Sequence, residues 1–349
     1  MHSHSHRHRK HNRKRKTKRN INNILKICAV VAVVVAVVFL LKFIGDYNYD
    51  SDGAAASEEE DDDDDGQISF FNGRAYRLRD DVETVLLIGI DKYMDEINVP
   101  DDSYINSLQA DFDVLLIIDK TNRKYDLLQI SRDTMVPVRE LGLNGVVVET
   151  KIEQLALSHT YGNGGKESCR NTVKSVEQLL FGVGIDHYIA FTMDVIPEVN
   201  DAAGGVKVLI EDDFSSVDPS LVIGEEVVLN GEQALEFVRA RGSMSDPTNT
   251  ARMKRHRVYM DGLMDAAAKK MEANSSWAAK TVLNVWDYIT SDLLSGGLSD
   301  LAELLVKYER GDILTIKGET QTREFVEFYP DEDALKAQVI DLFYKPVAE

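Results

Sequence analysis

The chain has 349 residues, enough for one large domain or two ordinary ones plus tails, and carries a formal net charge of -19 at pH 7. Residues 1–45 contain eleven Lys and Arg and no acidic residue, which leaves the remainder with a balance of -30. So acidic a remainder argues against a nucleic acid as its partner.

The first 44 residues read as a tail followed by an apolar segment. Residues 1–23 are basic and lack apolar periodicity, so we expect a solvated tail. Residues 24–44, "ILKICAVVAVVVAVVFLLKFI", are about long enough for one transmembrane helix. A cleaved signal peptide is the alternative, although the apolar run is longer than a typical signal-peptide core. Because basic residues precede this run and acidic residues follow it, the pattern predicts a cytoplasmic N-terminus and an extracellular remainder.

The extracellular part divides into a linker and a domain. Residues 45–69 include "SEEEDDDDD", a block of like charges that repels itself and predicts an extended spacer. Residues 70–349 have a globular composition, and we expect a core at 82–260 with a helical C-terminal extension at 261–349.

The first predicted elements of the domain are strands. The continuous apolar run Thr84–Ile90 is typical of a strand buried on both faces, and Val114–Asp119 and Tyr125–Ser131 are two more, joined by "KTNRK" as a hairpin. The pattern then predicts helices at Lys151–Tyr161 and Ser168–Phe181, a strand in "HYIAF", a helix in "MDVIPEVNDAAGG" and a strand in "VKVLIE".

The later elements are mostly helical. Asn230 with Gln233 forms a capping-box pattern before one helix, Arg252–Ala268 predicts the next, and 277–306 reads as further helix. A strand and a helix capped near Asp331 end the chain. The alternation predicts an α/β fold, a layered α-β-α domain with a mixed central sheet, preceded by one transmembrane helix.

Charged residues stand where two of these strands begin and end. Arg132 follows a buried strand, the position at which α/β folds present chemistry to solvent. It could pair with the adjacent Asp133 or reach an anion. Asp111 and Asp113 begin the neighbouring strand, and a carboxylate near a phosphate-binding arginine suits Mg²⁺.

A second basic cluster lies in "RARGSMSDPTNTARMKRHR", Arg239–Arg257. Arg252, Arg255 and His256 are spaced to share one helical face, and guanidinium groups match phosphate oxygens in pairs. The alternative is a solvated or salt-bridged face. Because the predicted topology places this segment outside the cell, DNA is not its expected ligand.

Five segments together resemble the LytR-CpsA-Psr family. They are "LLIGID", "ADFDVLLIIDKTNRKYDLLQISRDT", "KIEQLALSHTYGNGG", "VEQLLFGVGIDHYIAFTMDVIPEVNDAAGGV" and "LNGEQALEFVRAR" followed by "TARMKRHR". The resemblance runs from about Val82 to Met260 and also covers the predicted topology. It implies an Mg²⁺-assisted phosphotransferase at the cell membrane of a Gram-positive bacterium. Such an enzyme moves a wall teichoic acid or capsular glycopolymer from a polyprenyl-pyrophosphate carrier to peptidoglycan, with the polyprenyl chain in an apolar cavity.

The resemblance also assigns residues. Asp111 matches a metal-binding aspartate, and Asp111, Arg132 and Arg252 match the catalytic set. Arg255 matches the arginine of an R-Q pair, with His256 in place of glutamine. The pyrophosphate ligands implied by the matched motifs are Arg132, Arg239, Arg241, Arg252 and Arg255.

Two positions depart from the family pattern. Gln109 replaces an arginine, and Asn249 replaces a second metal-binding aspartate, so Asn249 or the nearby Asp246 is the remaining candidate ligand. This departure keeps two rival functions open, a polyprenyl-pyrophosphate-binding sensor of the transcriptional-attenuator type and a pyrophosphatase. The basic tail is too short for a helix-turn-helix and is expected to contact anionic lipid headgroups.

Overall fold

The computed structural model describes residues 68–93, 105–142, 145–241, 248–274, 277–293 and 308–347, together with residues 244, 246 and 304. Within these ranges no helix is both long and apolar enough to cross a bilayer. The predicted tail, the predicted span at 24–44 and nearly all of the predicted linker lie outside the described residues, so these predictions stay predictions.

Fifteen strands are described within these ranges. They are β1 (Ile68–Phe71), β2 (Arg74–Leu78), β3 (Val82–Ile90), β4 (Ala110–Asp119), β5 (Lys124–Ile130), β6 (Met135–Leu141), β7 (Val147–Gln154), β8 (His187–Phe191), β9 (Val206–Leu209), β10 (Glu226–Leu229), β11 (Ile289–Ser291), β12 (Glu309–Thr315), β13 (Gly318–Thr322), β14 (Val326–Pro330) and β15 (Tyr344–Pro346).

Six α-helices are described in the same part of the chain. They are α1 (Lys166–Leu179), α2 (Val195–Ala202), α3 (Gly231–Arg239), α4 (Asn249–Ala273), α5 (Trp277–Val285) and α6 (Glu332–Phe343). Short 3₁₀ turns cover Leu155–Thr160 and Trp286–Tyr288.

Six strands form the central sheet, in the order β11-β8-β3-β4-β5-β12. The β3–β4 and β4–β5 pairs are antiparallel, as the predicted hairpin requires, whereas β3–β8 and β5–β12 are parallel. The predicted mixed sheet is therefore confirmed. Smaller sheets join β1, β2 and β15, and also pair β6 with β7, β9 with β10, and β13 with β14.

Both faces of the central sheet are covered by helices, which explains the continuous apolar runs in its strands. Val114 and Leu116 of β4 belong to the core under α2, α3, α4 and α5. Leu115 and Ile117 of the same strand belong to the opposite core, under α1 and α6. Alternate residues of one strand thus fill two cores, and the α-β-α layering follows.

The predicted caps at two helix starts are confirmed. The Asn230 side chain accepts from the backbone N–H of Gln233 at 2.9 Å, and the Gln233 side chain accepts from the backbone N–H of Asn230 at 3.2 Å. Asp331 caps α6 by accepting from the N–H of Ala334 at 3.0 Å. These contacts satisfy backbone donors that have no partner inside the helix.

Three secondary-structure predictions are wrong. Residues 151–154 continue strand β7 instead of starting a helix, because "VVETKIEQ" is rich in β-branched residues and pairs along its length with β6, a strand that was not predicted. Only a 3₁₀ turn follows. Helix α5 ends at Val285, where 277–306 was expected to stay helical, and β11 then pairs with β8. The region 261–349 is not solely helical, since β12 extends the central sheet beside β5.

Candidate active site

The hairpin of β4 and β5 brings Asp111 and Arg132 to one end of the central sheet. Asp113 lies opposite Ile130 in the antiparallel ladder, so the start of β4 meets the end of β5. Arg132 Nη1 donates to Asp111 Oδ1, and Arg132 Nη2 donates to Gln109 Oε1 at 2.7 Å. Gln109, which replaces an arginine of the family pattern, is therefore an acceptor that orients Arg132.

Helix α4 supplies the second arginine of the cluster. Arg252 lies in its first turn, is 6% exposed, and donates from Nη1 to Asp111 Oδ2 at 3.0 Å. The two oxygens of Asp111 therefore hold one guanidinium each, and a single carboxylate joins β4, the end of β5 and α4. A buried charge is costly in low-dielectric surroundings unless it is paired, and the two arginines provide that pairing for Asp111.

Asn249, the first residue of α4, connects Arg252 to the loop after β5. Its Oδ1 accepts from Arg252 Nη2 at 2.9 Å and Nε at 3.2 Å, while its Nδ2 donates to Ser131 Oγ at 2.9 Å. This side chain is 5% exposed. In this structure Asn249 positions Arg252, whose guanidinium donates twice to the Asn249 carbonyl oxygen.

Two further arginines lie at the end of α3, on the same side of the site. Arg239 is exposed, and its guanidinium carbon lies 5.7 Å from the centre of the Tyr93 ring. The charge of Arg241 is close enough to Asp133 to lower the pKa of that carboxyl group, although burial raises it more strongly. The structure thus brings together four of the five predicted pyrophosphate arginines.

Asp91 is a site residue that the sequence reasoning missed. It follows β3, and its backbone N–H donates to Gln109 O at 3.1 Å. Burial raises the pKa of Asp91 and the neighbouring Asp111 carboxylate raises it further, against the opposing charges of the arginines. The available signal was its position directly after a buried strand, the same signal that identified Arg132.

Asp113 lies two residues after Asp111 and is 1% exposed. Neither of its carboxylate oxygens has a hydrogen-bond partner within the described part of the chain. Burial raises its pKa well above the ordinary value, and the charge of Asp111 adds to the effect. Proton uptake relieves the cost of an unpaired buried charge, so the surroundings of this carboxyl group favour its neutral form.

Arg255 and Asp246 lie apart from this cluster. Arg255 is 3% exposed. It donates to the carbonyl oxygens of Phe237 and Ala240 at the end of α3, and to Asp212 Oδ2 at 2.9 Å. These bonds tie α4 to α3 and leave Arg255 outside the cavity wall. Asp246 is exposed and accepts from the N–H of Thr248 at 3.0 Å, just before α4. Their predicted roles as pyrophosphate and metal ligands have no support in these contacts and stay predictions.

An apolar cavity opens beside the arginine cluster, between the central sheet and α2, α4 and α5. Its volume is about 210 Å³. The charged lining residues Asp111, Arg239 and Arg252 belong to the cluster just described. The apolar lining residues include Leu87, Phe112, Val114, Ile189, Phe191, Ile196, Val199, Tyr259, Met260, Leu263 and Ile289. The arrangement suits a ligand with an anionic group joined to an apolar chain.

Gly89 and His256 shape the wall of this cavity. A Cβ atom on Gly89 would lie 2.8 Å from Phe112 Cβ and 3.3 Å from a ring carbon of Phe191, so only glycine allows these rings to approach. His256 Nε2 donates to Val238 O at 3.0 Å, and the ring packs edge-on against Phe112. Burial against the cavity wall, with a smaller effect from Arg252, lowers its pKa to about 3. It is therefore a neutral wall residue at physiological pH.

The site offers carboxylate ligands for Mg²⁺, but too few to bind the ion without a further ligand. No group of three or more His, Cys, Asp or Glu side chains suited to a metal occurs among the described residues. The carboxylates of Asp91 and Asp111 are nevertheless close enough to raise the pKa of Asp91. One or two carboxylates completed by phosphate oxygens are the usual Mg²⁺ site in phosphoryl-transfer enzymes. The residues thus fit a metal that arrives with a phosphorylated ligand.

Comparison with known proteins finds relatives of this chain among teichoic acid transferases. The polyisoprenyl-teichoic acid–peptidoglycan teichoic acid transferase TagU of Enterococcus faecalis is 26% identical over 227 residues, covering 64% of this chain and 65% of that protein. This chain therefore spans slightly less than two thirds of that relative. TagU of Oceanobacillus iheyensis is 26% identical over 266 residues, covering 73% of each chain.

The fold also has solved counterparts. The crystal structure of TagV from Bacillus subtilis matches with a TM-score of 0.53 at 20% identity, covering 76% of this chain and 98% of that chain. At this identity the likeness concerns the fold. The sequence model of the LytR_cpsA_psr family matches residues 46–339, most of the chain. The predicted family is therefore confirmed, and the protein belongs to the LytR_cpsA_psr family.

Proposed function

We propose that this protein is a membrane-anchored extracellular transferase that moves a teichoic-acid-type glycopolymer from a polyprenyl-pyrophosphate carrier onto peptidoglycan. The observation that carries the proposal is the junction of two surfaces: an apolar cavity and an arginine-carboxylate cluster share Asp111, Arg239 and Arg252. The family membership and the names of the two transferase relatives support the reaction class.

The arginines provide the anion site of the proposed reaction. Arg132 and Arg252 are held in place by Asp111, and Arg132 Nε is a buried donor without a hydrogen-bond acceptor among the described residues, 3.6 Å from Asp133 Oδ1. A guanidinium has five N–H donors, so both arginines keep donors for phosphate oxygens. Arg239 and Arg241 at the end of α3 would bind the outer phosphate oxygens.

The cavity provides the site of the carrier chain. Burial of each methylene group is worth about 0.8 kcal/mol, so an apolar chain in this cavity would contribute most of the binding energy. The same burial fixes the pyrophosphate at the arginines, because the cavity opens beside them. Positioning of this kind accounts for a large share of catalysis in phosphoryl transfer.

In the proposed step, a peptidoglycan hydroxyl oxygen attacks the phosphorus that carries the glycopolymer. A new P–O bond forms, the bond to the bridging oxygen breaks, and polyprenyl phosphate leaves with the bonding electrons. Asp91 is suited to accept the hydroxyl proton, because its raised pKa makes it a better base than an ordinary carboxylate. Arg132 and Arg252 offset the charge that develops on the leaving phosphate.

Asp111 is the residue that would hold Mg²⁺, with phosphate oxygens completing the site. The ion would supply further charge neutralisation on the phosphate oxygens. Asn249 contributes indirectly, since it fixes the guanidinium of Arg252.

The reaction can be tested with the full chain in lipid vesicles, a polyprenyl-pyrophosphate-linked teichoic acid precursor, peptidoglycan and Mg²⁺. Polymer bound to peptidoglycan, together with released polyprenyl phosphate, is the expected product. Release of free glycan phosphate without attachment would indicate a pyrophosphatase, and binding without turnover would indicate a sensor; either result contradicts the proposal. Arg252→Gln should lower the rate of attachment by on the order of a hundredfold or more. The matched control Arg323→Gln changes an exposed arginine that ion-pairs with Glu327 at 3.5 Å, and should leave it intact.

A further inference from the structure

The β6–β7 ribbon has an open and unusually apolar edge. Within the described ranges β7 pairs with β6 alone. Its six residues Val147–Ile152 are all exposed, and Val148 and Ile152 are 68% and 61% exposed. Val146, just before the strand, is 64% exposed. An exposed, apolar strand edge is a template for pairing with another strand.

A second copy of the same edge can pair with β7 only in certain registers. Symmetric pairing of two identical edges requires a two-fold axis and hence antiparallel strands. In antiparallel strands, directly opposed residues either exchange both backbone hydrogen bonds or neither. Outward-pointing backbone groups alternate along β7, so opposed residues have numbers of the same parity. The axis must therefore pass through a residue, not between two residues.

The charges on β7 select one of these axes. An axis through Glu149 would oppose the two copies of Glu149, and an axis through Lys151 would oppose the two copies of Lys151 and also Glu149 to Glu153. An axis through Thr150 opposes Glu149 of each copy to Lys151 of the other. It also opposes Val148 to Ile152, the most exposed apolar residues of the strand. Of the three registers centred on Glu149, Thr150 and Lys151, this is the one without directly opposed like charges.

We infer that β7 is a self-pairing surface, through which two copies of this chain associate about a two-fold axis at Thr150. Opposite charges and apolar pairs directly across antiparallel strands each contribute roughly 0.2–1 kcal/mol. A lone edge lysine usually discourages strand pairing, but here each lysine meets a glutamate of the other copy. Within one copy, Lys151 Nζ lies 2.6 Å from Glu140 Oε2 of β6 and 3.3 Å from Glu149 Oε2, so a pair with Glu149 of the other copy would add to the ion pairs that Lys151 already makes.

The β6–β7 ribbon begins and ends next to the candidate active site. Pairing of two ribbons would therefore fix the positions of the two active sites relative to each other. Strand β6 begins directly after the turn that follows Arg132, and Gln154 at the end of β7 donates to Asp133 Oδ1 at 3.3 Å and to Val326 O at 2.6 Å. Two paired ribbons would place the two active sites on either side of a shared four-stranded sheet. The inference itself is independent of the proposed reaction.

Charge reversal tests the register with the full chain in detergent, by sedimentation velocity at concentrations up to about 100 µM, a range that detects weak association. Native protein should dimerise. Glu149→Lys should not, because it opposes two lysines, and Lys151→Glu should not, because it opposes two acids. A mixture of the two variants should dimerise again, since each then meets its opposite charge. The melting temperature of each variant shows whether its fold is retained.

The mixing step separates the ribbon from other contacts, including any contact between predicted transmembrane segments. If the native chain stays monomeric, if either single variant dimerises as the native chain does, or if the mixture fails to pair, the inference is wrong.

Cysteine cross-linking tests the axis directly. In a Cys28→Ser background, Thr150→Cys should form an intermolecular disulfide, because residues directly opposed in antiparallel strands are close enough for one. The matched control is Val147→Cys on the same strand. In the inferred register, residue 147 of one copy lies opposite residue 153 of the other. The two introduced cysteines are therefore six positions apart, or about 20 Å, and should not cross-link. Equal cross-linking of both variants would overturn the axis at Thr150.

Discussion

Arg252 of α4 and Asp111 of β4 are 141 residues apart in the sequence, and their side chains meet at 3.0 Å between Nη1 and Oδ2. Arg132 occupies the other oxygen of the same carboxylate. Asp111 therefore fixes two arginines at the mouth of the cavity, and the geometry of the anion site depends on this one side chain.

Arg252→Gln should lower kcat/KM for transfer by on the order of a hundredfold or more, because a buried, fixed positive charge at the phosphates is lost. Arg252→Lys should recover only part of the activity, since an ammonium group lacks the planar fork that binds Asp111 and a phosphate together. Initial rates of polymer attachment measure both. Native activity in Arg252→Gln would show that the pyrophosphate binds elsewhere.

Asn249→Asp should alter the dependence on Mg²⁺. The new carboxylate keeps the acceptor for Arg252 and adds a negative charge next to Asp111, so the Mg²⁺ concentration giving half-maximal activity should fall several-fold. Asn249→Ala, which loses the bonds to Arg252 and Ser131, should lower activity at every Mg²⁺ concentration. An unchanged Mg²⁺ midpoint in Asn249→Asp would place the metal away from this side chain.

Arg255→Gln should reduce stability more than transfer. The substitution leaves the carbonyl groups of Phe237 and Ala240 and the carboxylate of Asp212 without their guanidinium partner, and loss of one member of a buried ion pair costs about 3–5 kcal/mol; the partly exposed Asp212 places this case at the lower end. Urea unfolding of the full chain measures the free energy of unfolding. A normal unfolding curve with strongly reduced transfer would instead support the family-based prediction of a pyrophosphate ligand.

His159 should make the protein less stable in acid. It is 1% exposed, and burial lowers its pKa from 6.5 to about 4. The unfolded chain therefore takes up a proton on this residue before the native chain does, and the free energy of unfolding falls as the pH drops below about 6.5. At a pH near the native pKa of His159, this residue lowers the free energy of unfolding by about 3 kcal/mol.

His159→Asn is the variant for this test. Asparagine keeps a donor near His159 Nδ1, which lies 2.9 Å from Leu108 O, but has no proton to gain. Unfolding measured at about pH 7.5 and about pH 5 should show a smaller difference in the variant than in the native chain. His256, whose pKa is also lowered, acts in the same direction in both proteins and leaves the comparison valid. An equal pH dependence would contradict the assignment.

Local patterns in the sequence predicted the capped helices and the buried strands well. Asn230 with Gln233, Asp331, and the apolar run of β3 are local signals, because each is determined by neighbouring residues. Residues 151–154 of β7 were predicted as helix, because only the pairing with β6, a tertiary contact, decides between helix and strand.

The candidate site could be predicted in part. The family resemblance implied that Arg132, Arg239, Arg241 and Arg252 act together, and the structure brings them together. Helical spacing also placed Arg255 with Arg252, but spacing does not show which neighbours a side chain meets. In the fold Arg255 donates its hydrogen bonds to the carbonyl groups at the end of α3. The role of Asn249 likewise depends on its contacts with Ser131 and Arg252, which lie on different elements.

The central claim is that one ligand places its pyrophosphate at the arginines and its apolar chain in the cavity. Isothermal titration of the full chain with farnesyl pyrophosphate and with inorganic pyrophosphate, both with Mg²⁺, tests it most directly. Farnesyl pyrophosphate should bind on the order of tenfold tighter or more, because its chain is buried, and Arg252→Gln should weaken both. Equal affinity for the two compounds, or affinities unaffected by Arg252→Gln, would contradict the claim.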